Sequence, residues 1–298
     1  DKEFAIKKSK IRGVESFGMI CAEDEIGVGT SHDGIIELPE TVKPGTLAKD
    51  YYNVKDDYMF EVDLTPNRID AASHFGVARD LAAWMKAQGM QADLHSPSVD
   101  AFHSDRADGA IPVEVECQEA AIRYAGLTIR GVKVAESPEW LRNYLTAIGQ
   151  RPINNVVDIT NFILNAYCQP LHCFDLAKVK GNKIVVRPAA EGSKFVTLDG
   201  VERTMTARDL MICNAEEPMC IAGVFGGLES GVTEQTTDIF LESACFHPTW
   251  VRKTARRQGL NTDASFRFER GVDPNNVIYA LKAAALLVKE LAGGEICG

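Results

Sequence analysis

No stretch of this chain is apolar for long enough to cross a bilayer, and no charged and apolar leader opens it. A membrane partner is therefore not expected. The eight cysteines, at positions 21, 117, 168, 173, 213, 220, 245 and 297, include no C-x-x-C pair. Thiols scattered in this way read as reduced core residues, which argues against a disulfide framework or a metal site and suggests a cytoplasmic compartment. Positive charge is also in short supply: 32 Lys and Arg stand against 42 Asp and Glu, a formal net charge of −10. Nonspecific affinity for nucleic acid comes from neutralising phosphates, so the charge argues against a general nucleic-acid coat. It does not exclude a local basic face.

Several catalytic signatures are missing too. The glycine-rich Ala222–Gly227 lacks the Lys-Ser/Thr of a phosphate loop and the G-x-G-x-x-G spacing of a dinucleotide site, and it reads as a tight turn or bulge. No G-x-S-x-G elbow occurs. Ser265 and Cys173 are possible nucleophiles, but neither has a base and an orienting partner beside it in sequence. If the chain is hydrolytic, direct attack by water is the expectation.

What is present is ordinary in bulk, with 298 residues, 45% hydrophobic and 25% charged, which suggests two or three globular domains. Residues 1–43 carry short β-type runs broken by glycine, a piece of a small barrel or meander. Residues 44–91 open on Pro44-Gly45 and continue through an expected strand at 58–64. A helix follows, with Phe75, Val77, Leu81, Trp84 and Met85 on its apolar side and Gly89 as its stop. The polar stretch 92–110 reads as a linker. A mixed α+β unit follows over 111–272. Its first helix is expected to start at Ser137 as cap with Pro138 next, and its second covers about 154–165. Strands are expected at 113–117, 183–187, 194–198, 210–214 and 238–242, with a hairpin turn at Asp199-Gly200. Residues 273–298 form a helix capped by Asp273, with Val277, Leu281, Ala285 and Val288 as its buried stripe, and then the start of a strand. Both ends look cut within a domain, as in a piece of a longer protein.

Two segments are dense in hydrogen-bonding groups yet set among apolar residues: Val156–Asn161 running on to Gln169–Asp175, and Arg252–Arg257 leading into Thr262–Pro274. Rigid support beside polar chemistry is what a site needs. On the residues alone, His172 reads as a hydrogen-bonded structural histidine before a site residue. Glu242, inside Phe240–Phe246, must face solvent, be paired, or act, because burying it unpaired costs several kcal/mol. Arg252, Lys253, Arg256 and Arg257, with Arg267 and Arg270 beyond, form either a solvated helix face or a local RNA contact.

The strings TPNRIDAASHFGVARDLA, VVDITN, QPLHCFD, TLDGVER, AGVFGG, LESACF, RKTARRQGL and DASFRFERGVDP occur here in the order found in bacterial phenylalanyl-tRNA synthetase β subunits. Across essentially its whole length the chain resembles that family. The resemblance implies an α+β architecture: a mixed-sheet editing (B3/B4) domain preceded by a partial β-barrel tail of the tRNA-binding domain and part of a small helical domain. It implies hydrolysis of tyrosyl-tRNA(Phe), with tRNA(Phe) and a synthetase α subunit in an (αβ)2 assembly as partners. It implies no cofactor in this part, ATP and magnesium belonging to the complete synthetase. Carried over position by position, His172, Thr160 and Asn161 would orient the ester and the attacking water. Glu242 and Gly223 would read the phenol hydroxyl, Thr262 and Ala264 would wall the pocket, and Arg151 would hold the terminal adenosine or its phosphate. The competing reading is a non-catalytic tRNA-docking and subunit-scaffold module.

Overall fold

Contacts divide the chain between Phe60 and Glu61, and the computed structural model describes residues 5–29, 31–54 and 57–298. In the first unit, β1 (Ser9–Ile11) and β2 (Val14–Ser16) form an antiparallel hairpin. Arg12 and Gly13, at φ 49° and 88°, supply the two positive-φ positions that a two-residue hairpin turn requires. A short helix, α1 (Ala48–Tyr51), follows. This hairpin stands where the barrel tail was expected, and its Ile11 and Val14 are exposed. Residues 58–64, expected as a strand, have no ladder partner among the described residues, and Tyr58 and Phe60 are each 83% exposed. An alternating pattern supplies a strand's faces but not the neighbouring backbone that a strand must pair with.

The second unit opens with α2 (His74–Ala87), whose first turn is capped by the Ser73 hydroxyl accepting from the Gly76 amide at 3.0 Å. Three residues expected on its buried side, Val77, Leu81 and Trp84, are instead exposed, while Phe75 packs against Tyr167. Then come β3 (Val113–Val115), β4 (Ala121–Arg130), α3 (Glu139–Ala147), α4 (Asn155–Tyr167), β5 (Leu171–Asp175) and β6 (Ile184–Pro188). The hairpin of β7 (Lys194–Val196) and β8 (Glu202–Thr204) turns at Asp199-Gly200, as the sequence suggests. The chain continues through β9 (Leu210–Cys213), β10 (Pro218–Ile221), β11 (Phe225–Gly226) and β12 (Asp238–Phe246). It ends with α5 (Pro248–Gln258), α6 (Asp263–Phe268), α7 (Asn276–Leu291) and β13 (Glu295–Cys297).

Two sheets organise this unit: a four-stranded antiparallel sheet in the order β13-β4-β12-β5, and a five-stranded one, β11-β10-β9-β6-β3, in which only β3–β6 is parallel. The architecture is α+β with mixed sheets. Strand β12 lies between two cores. Its Ile239 and Leu241 pack with Ile129, Cys173, Ile296 and the apolar faces of α3, α4 and α7. Its Phe240 and Ala244 pack with Phe174 and the five-stranded sheet. A strand covered on both faces reads as a nearly unbroken apolar run, and Glu242 interrupts that run.

Local capping differs from expectation in two places. Ser137 does not cap α3; its hydroxyl donates to the buried Asp158 carboxylate at 2.6 Å, and Pro138 occupies the cap position without a side-chain bond. Asp158 also accepts from the Ile153 amide at 2.8 Å, so the hydroxyl is used to satisfy a buried charge. At α7 the cap is Asn275 and not Asp273, whose carboxylate accepts from the Asn275 amide at 2.8 Å. The expected α7 stripe of Val277, Leu281, Ala285 and Val288 is buried. The end of the polar stretch 92–110 is held in place by the amides of Asp105 and Arg106, which both donate to the Ile296 carbonyl in β13.

Candidate functional site

Antiparallel register sets His172 of β5 opposite Glu242 of β12, and Glu242 opposite Gly126 of β4. Residues directly opposite one another share a face, so both side chains project into the layer between the two sheets. The two-residue period adds Phe174, Phe240, Ala244 and Tyr124 to that face. Gly126 supplies the space: a Cβ there would lie 2.1 Å from the Phe240 ring.

Glu242 is 5% exposed, and the Tyr124 hydroxyl donates to its Oε2 at 2.8 Å. Burial pushes the carboxyl up to about 8, only partly opposed by the tyrosine hydrogen bond, so near neutral pH the acid form prevails. Cys220 of β10 is a further neighbour; its thiol is raised by burial and then by Glu242. The resemblance implies a carboxylate that reads a phenol hydroxyl. Here the group already has a phenol beside it, and in its acid form it donates as well as accepts.

His172 packs edge-on against Phe174, ring centroids 4.5 Å apart, and its Cε1 faces Gly226, where a Cβ would come within 3.4 Å. Burial lowers its pKa to about 4, so the ring is neutral at physiological pH. Its Nε2 is sealed from solvent and has no hydrogen-bond partner among the described residues. An orphaned polar atom of this kind costs about 1–3 kcal/mol and is uncommon in native structures.

The turn between β10 and β11 joins the remaining pieces. Gly223 sits at φ +67°, under the rings of Phe246 and Phe268. Thr262 caps α6, its hydroxyl accepting from the Ser265 amide at 3.0 Å and donating to the Val224 carbonyl at 2.9 Å. Ala264, on the first turn of α6, packs against the same core. Phe246 lies 5.1 Å from Phe268 and 6.4 Å from Tyr124. A continuous set therefore runs from His172 through Glu242, Tyr124 and Phe246 to Gly223, Thr262 and Ala264. Replacing Thr262 with valine keeps the volume and removes the cap. The expected loss is about 1 kcal/mol, read from the urea midpoint at constant m-value, and an unshifted midpoint would show the cap to be idle.

Three expected residues are not drawn into this set. Thr160 is buried but spends its hydroxyl on the Val157 carbonyl of its own helix, at 2.7 Å. Asn161 is half-buried, and its backbone carbonyl accepts from the Asn165 side chain at 2.8 Å. Arg151 is exposed, with no side-chain partner among the described residues. The link from α4 to α6 runs through Asn165, which accepts from Arg267 at 3.4 Å. That arginine is 8% exposed, so it leaves the basic face on which the sequence seemed to place it. Arg257 pairs with the buried Asp209, and Arg270 lies 3.7 Å over the Phe266 ring. Arg252, Lys253 and Arg256 remain exposed on α5.

Sequence reasoning missed Tyr124, Cys220, Phe246 and Gln169, whose Nε2 donates to the Ala244 carbonyl at 2.8 Å. The strand period puts Tyr124 and Gly126 on one face, but no motif sets Gly126 opposite Glu242 and Tyr124 opposite Ala244. Two open clefts, of about 430 and 810 Å3, lie elsewhere: one is lined by Asp70, Tyr167 and Tyr279, the other by Lys178, Lys194 and Met219. Among the described residues no group of three or more His, Cys, Asp or Glu is placed to hold a metal, and no helix is long and apolar enough to cross a membrane.

The B3/4 domain family matches residues 120–293. The chain is 70% identical over 296 residues to the phenylalanine–tRNA ligase beta subunit of Bacteroides fragilis. It is 62% identical over 299 residues to that of Porphyromonas gingivalis and 49% over 295 residues to that of Desulfotalea psychrophila. These alignments take in 99–100% of the chain but 35–36% of the relatives, so the chain spans about a third of their length. A solved N-terminal fragment of the phenylalanyl-tRNA synthetase beta-subunit from Pyrococcus horikoshii is similar at 17% identity and a TM-score of 0.43, over 78% of this chain and 60% of that one. Because the family model matches more than half of the chain, the chain belongs to the B3/4 domain family, and along almost all of its own length it is similar to part of the phenylalanine–tRNA ligase beta subunits.

Proposed function

We propose that this chain is the editing part of a phenylalanine–tRNA ligase, its 111–272 region hydrolysing the ester of tyrosine wrongly joined to tRNA(Phe). The need for such a step is physical. A hydrophobic pocket that accepts phenylalanine rejects a merely added hydroxyl by only about a hundredfold. Tyrosine is the larger side chain, so a second site cannot sort by size and must recognise the hydroxyl itself. The observation that supports the reading is the pairing of a buried carboxyl, Glu242, with an orphaned histidine nitrogen, His172 Nε2, on one face of the sheet.

In this reading Glu242 meets the phenol hydroxyl, and Gly223, Thr262 and Ala264 wall the ring. His172, half-buried and kept neutral by desolvation of its ring, offers one ring nitrogen to the ester end or to the attacking water. No nucleophile of the protein is required, and the water's proton passes to the leaving ribose oxygen or to solvent. Thr160 and Asn161 brace α4 behind β5, and exposed Arg151 is free to meet a phosphate of the tRNA end. The partners are tRNA(Phe) and a synthetase α subunit, in the cytoplasm. ATP and magnesium serve the aminoacylation reaction, carried out by that α subunit.

The test is deacylation of tyrosyl- and phenylalanyl-tRNA(Phe) by the full-length protein that carries this chain, with Glu242→Ala beside it. The tyrosyl ester should be cleaved preferentially, and the variant should lose about 10- to 100-fold of that preference. Hydrolysis of neither ester, with tRNA still bound, would favour a docking scaffold. An undiminished preference in the variant would remove Glu242 from its role.

A further inference from the structure

Glu242 has two carboxyl oxygens, and the structure treats them differently. Oε2 accepts the Tyr124 hydroxyl at 2.8 Å. Oε1 meets no protein donor or acceptor among the described residues, yet it is absent from the sealed, unpartnered atoms, which are Arg142 Nε, Gln169 Oε1, His172 Nε2 and Arg267 Nε. Among the described residues, Oε1 is therefore the carboxyl oxygen that no group of the protein holds. We propose that Tyr124 is a positioning residue for tyrosine selectivity: by holding Oε2, it fixes Oε1 as the single oxygen presented to the hydroxyl of a bound tyrosyl group.

The surroundings are built for this role. Tyr124 and Glu242 stand on adjacent strands with a one-step offset, Glu242 opposite Gly126 and Tyr124 opposite Ala244. The tyrosine side chain must therefore cross toward the carboxyl, past the small side chain of Ala244, while the Phe240 ring fills the space over Gly126. Phe246 flanks the ring from the next position along β12. The hydroxyl of half-buried Tyr124 has no other partner among the described residues, so its hydrogen bond to Glu242 is hard to give up. The titratable groups around Glu242 are Tyr124 on β4, His172 on β5 and Cys220 on β10. Of these, Tyr124 is the one whose hydrogen bond opposes the upward push of burial on the carboxyl. In the acid form Oε1 carries the proton and donates to the ligand phenol; in the ionised form it accepts. The ligand meets the same oxygen in both states.

This inference rests on the editing reading, and the experiment separates the two. Tyr124→Phe keeps the ring and its packing on Phe246 and removes only the hydroxyl. In the full-length protein its ratio of tyrosyl to phenylalanyl deacylation should fall about tenfold, the loss of one hydrogen bond to a buried group, carried mainly by a higher KM for the tyrosyl ester. The pH midpoint of that preference should also move upward from about 8. Tyr124→Leu, which loses ring and hydroxyl together, should do no less. If the wild type shows no preference for the tyrosyl ester, the editing reading fails and takes this proposal with it. If the wild type is selective and Glu242→Ala is not, while Tyr124→Phe matches wild type in ratio and midpoint, the positioning role alone is overturned.

Discussion

Glutamine at position 242 is expected to abolish most of the fall in stability that the chain shows between pH 6.5 and 8. Two desolvated groups with opposite signs set this expectation. The Glu242 carboxyl is moved from its ordinary 4.5 up to about 8 by burial, so the folded state holds a proton that the unfolded state releases. Its stabilising contribution is complete below pH 4.5 and is lost as pH rises toward 8. His172 is moved from 6.5 down to about 4, also by burial, so here the unfolded state binds the proton more tightly. Its contribution is lost as pH falls from 6.5 to 4 and is complete above 6.5. Between pH 4.5 and 6.5 the two slopes cancel, and above 6.5 Glu242 acts alone. The loss from there to pH 8 comes to about 2 kcal/mol. Urea midpoints at the two pH values should separate in the wild type and coincide in Glu242→Gln. An equal separation in both would mean that Glu242 ionises as an ordinary surface carboxyl, and that the buried acid is not what presents Oε1.

The legible parts of the fold were those fixed by local chemistry. The hairpin at Asp199-Gly200 needs a positive φ at its second residue, and Gly200 has it at 75°. The α7 stripe follows from helical periodicity alone. Errors arose where a local signal was claimed by a distant partner. Ser137 looks like a cap until Asp158 takes its hydroxyl, and Arg267 looks like part of a basic face until α6 turns it inward toward Asn165. Val77, Leu81 and Trp84 have the spacing of a buried face but are exposed in this chain. For the site, the motif strings carried His172, Glu242, Gly223 and Thr262, and the strand register brings the first two together. Tyr124 could not be found in this way, because its role depends on which residue of β4 lies opposite which residue of β12. A one-residue slip would have turned it to the other face.

Gly223→Ala tests whether the turn and the carboxyl form one mechanical unit. Two penalties add at this position. A φ of +67° is unfavourable for alanine, and the new Cβ would stand 2.9 Å from the rings of both Phe246 and Phe268. Overpacking against buried rings that cannot swing away costs about 1–3 kcal/mol, and the left-handed backbone adds about 1–2. The expected destabilisation is therefore about 2–5 kcal/mol. Gly226→Ala is the natural control: it lies in the same short stretch without a positive φ, and its nearest contact, at 2.9 Å, is the far end of the exposed Leu198 side chain, which can move. It should cost well under half as much. The functional consequence follows from Phe246, which touches both the Gly223 turn and the Tyr124 ring. A displaced Phe246 moves Tyr124 relative to Glu242, so Gly223→Ala should lose tyrosyl preference beyond what its lower stability explains, measured at a temperature where the variant remains folded. If Gly223→Ala is no less stable than Gly226→Ala, the rings yield easily, and the turn does not brace the carboxyl.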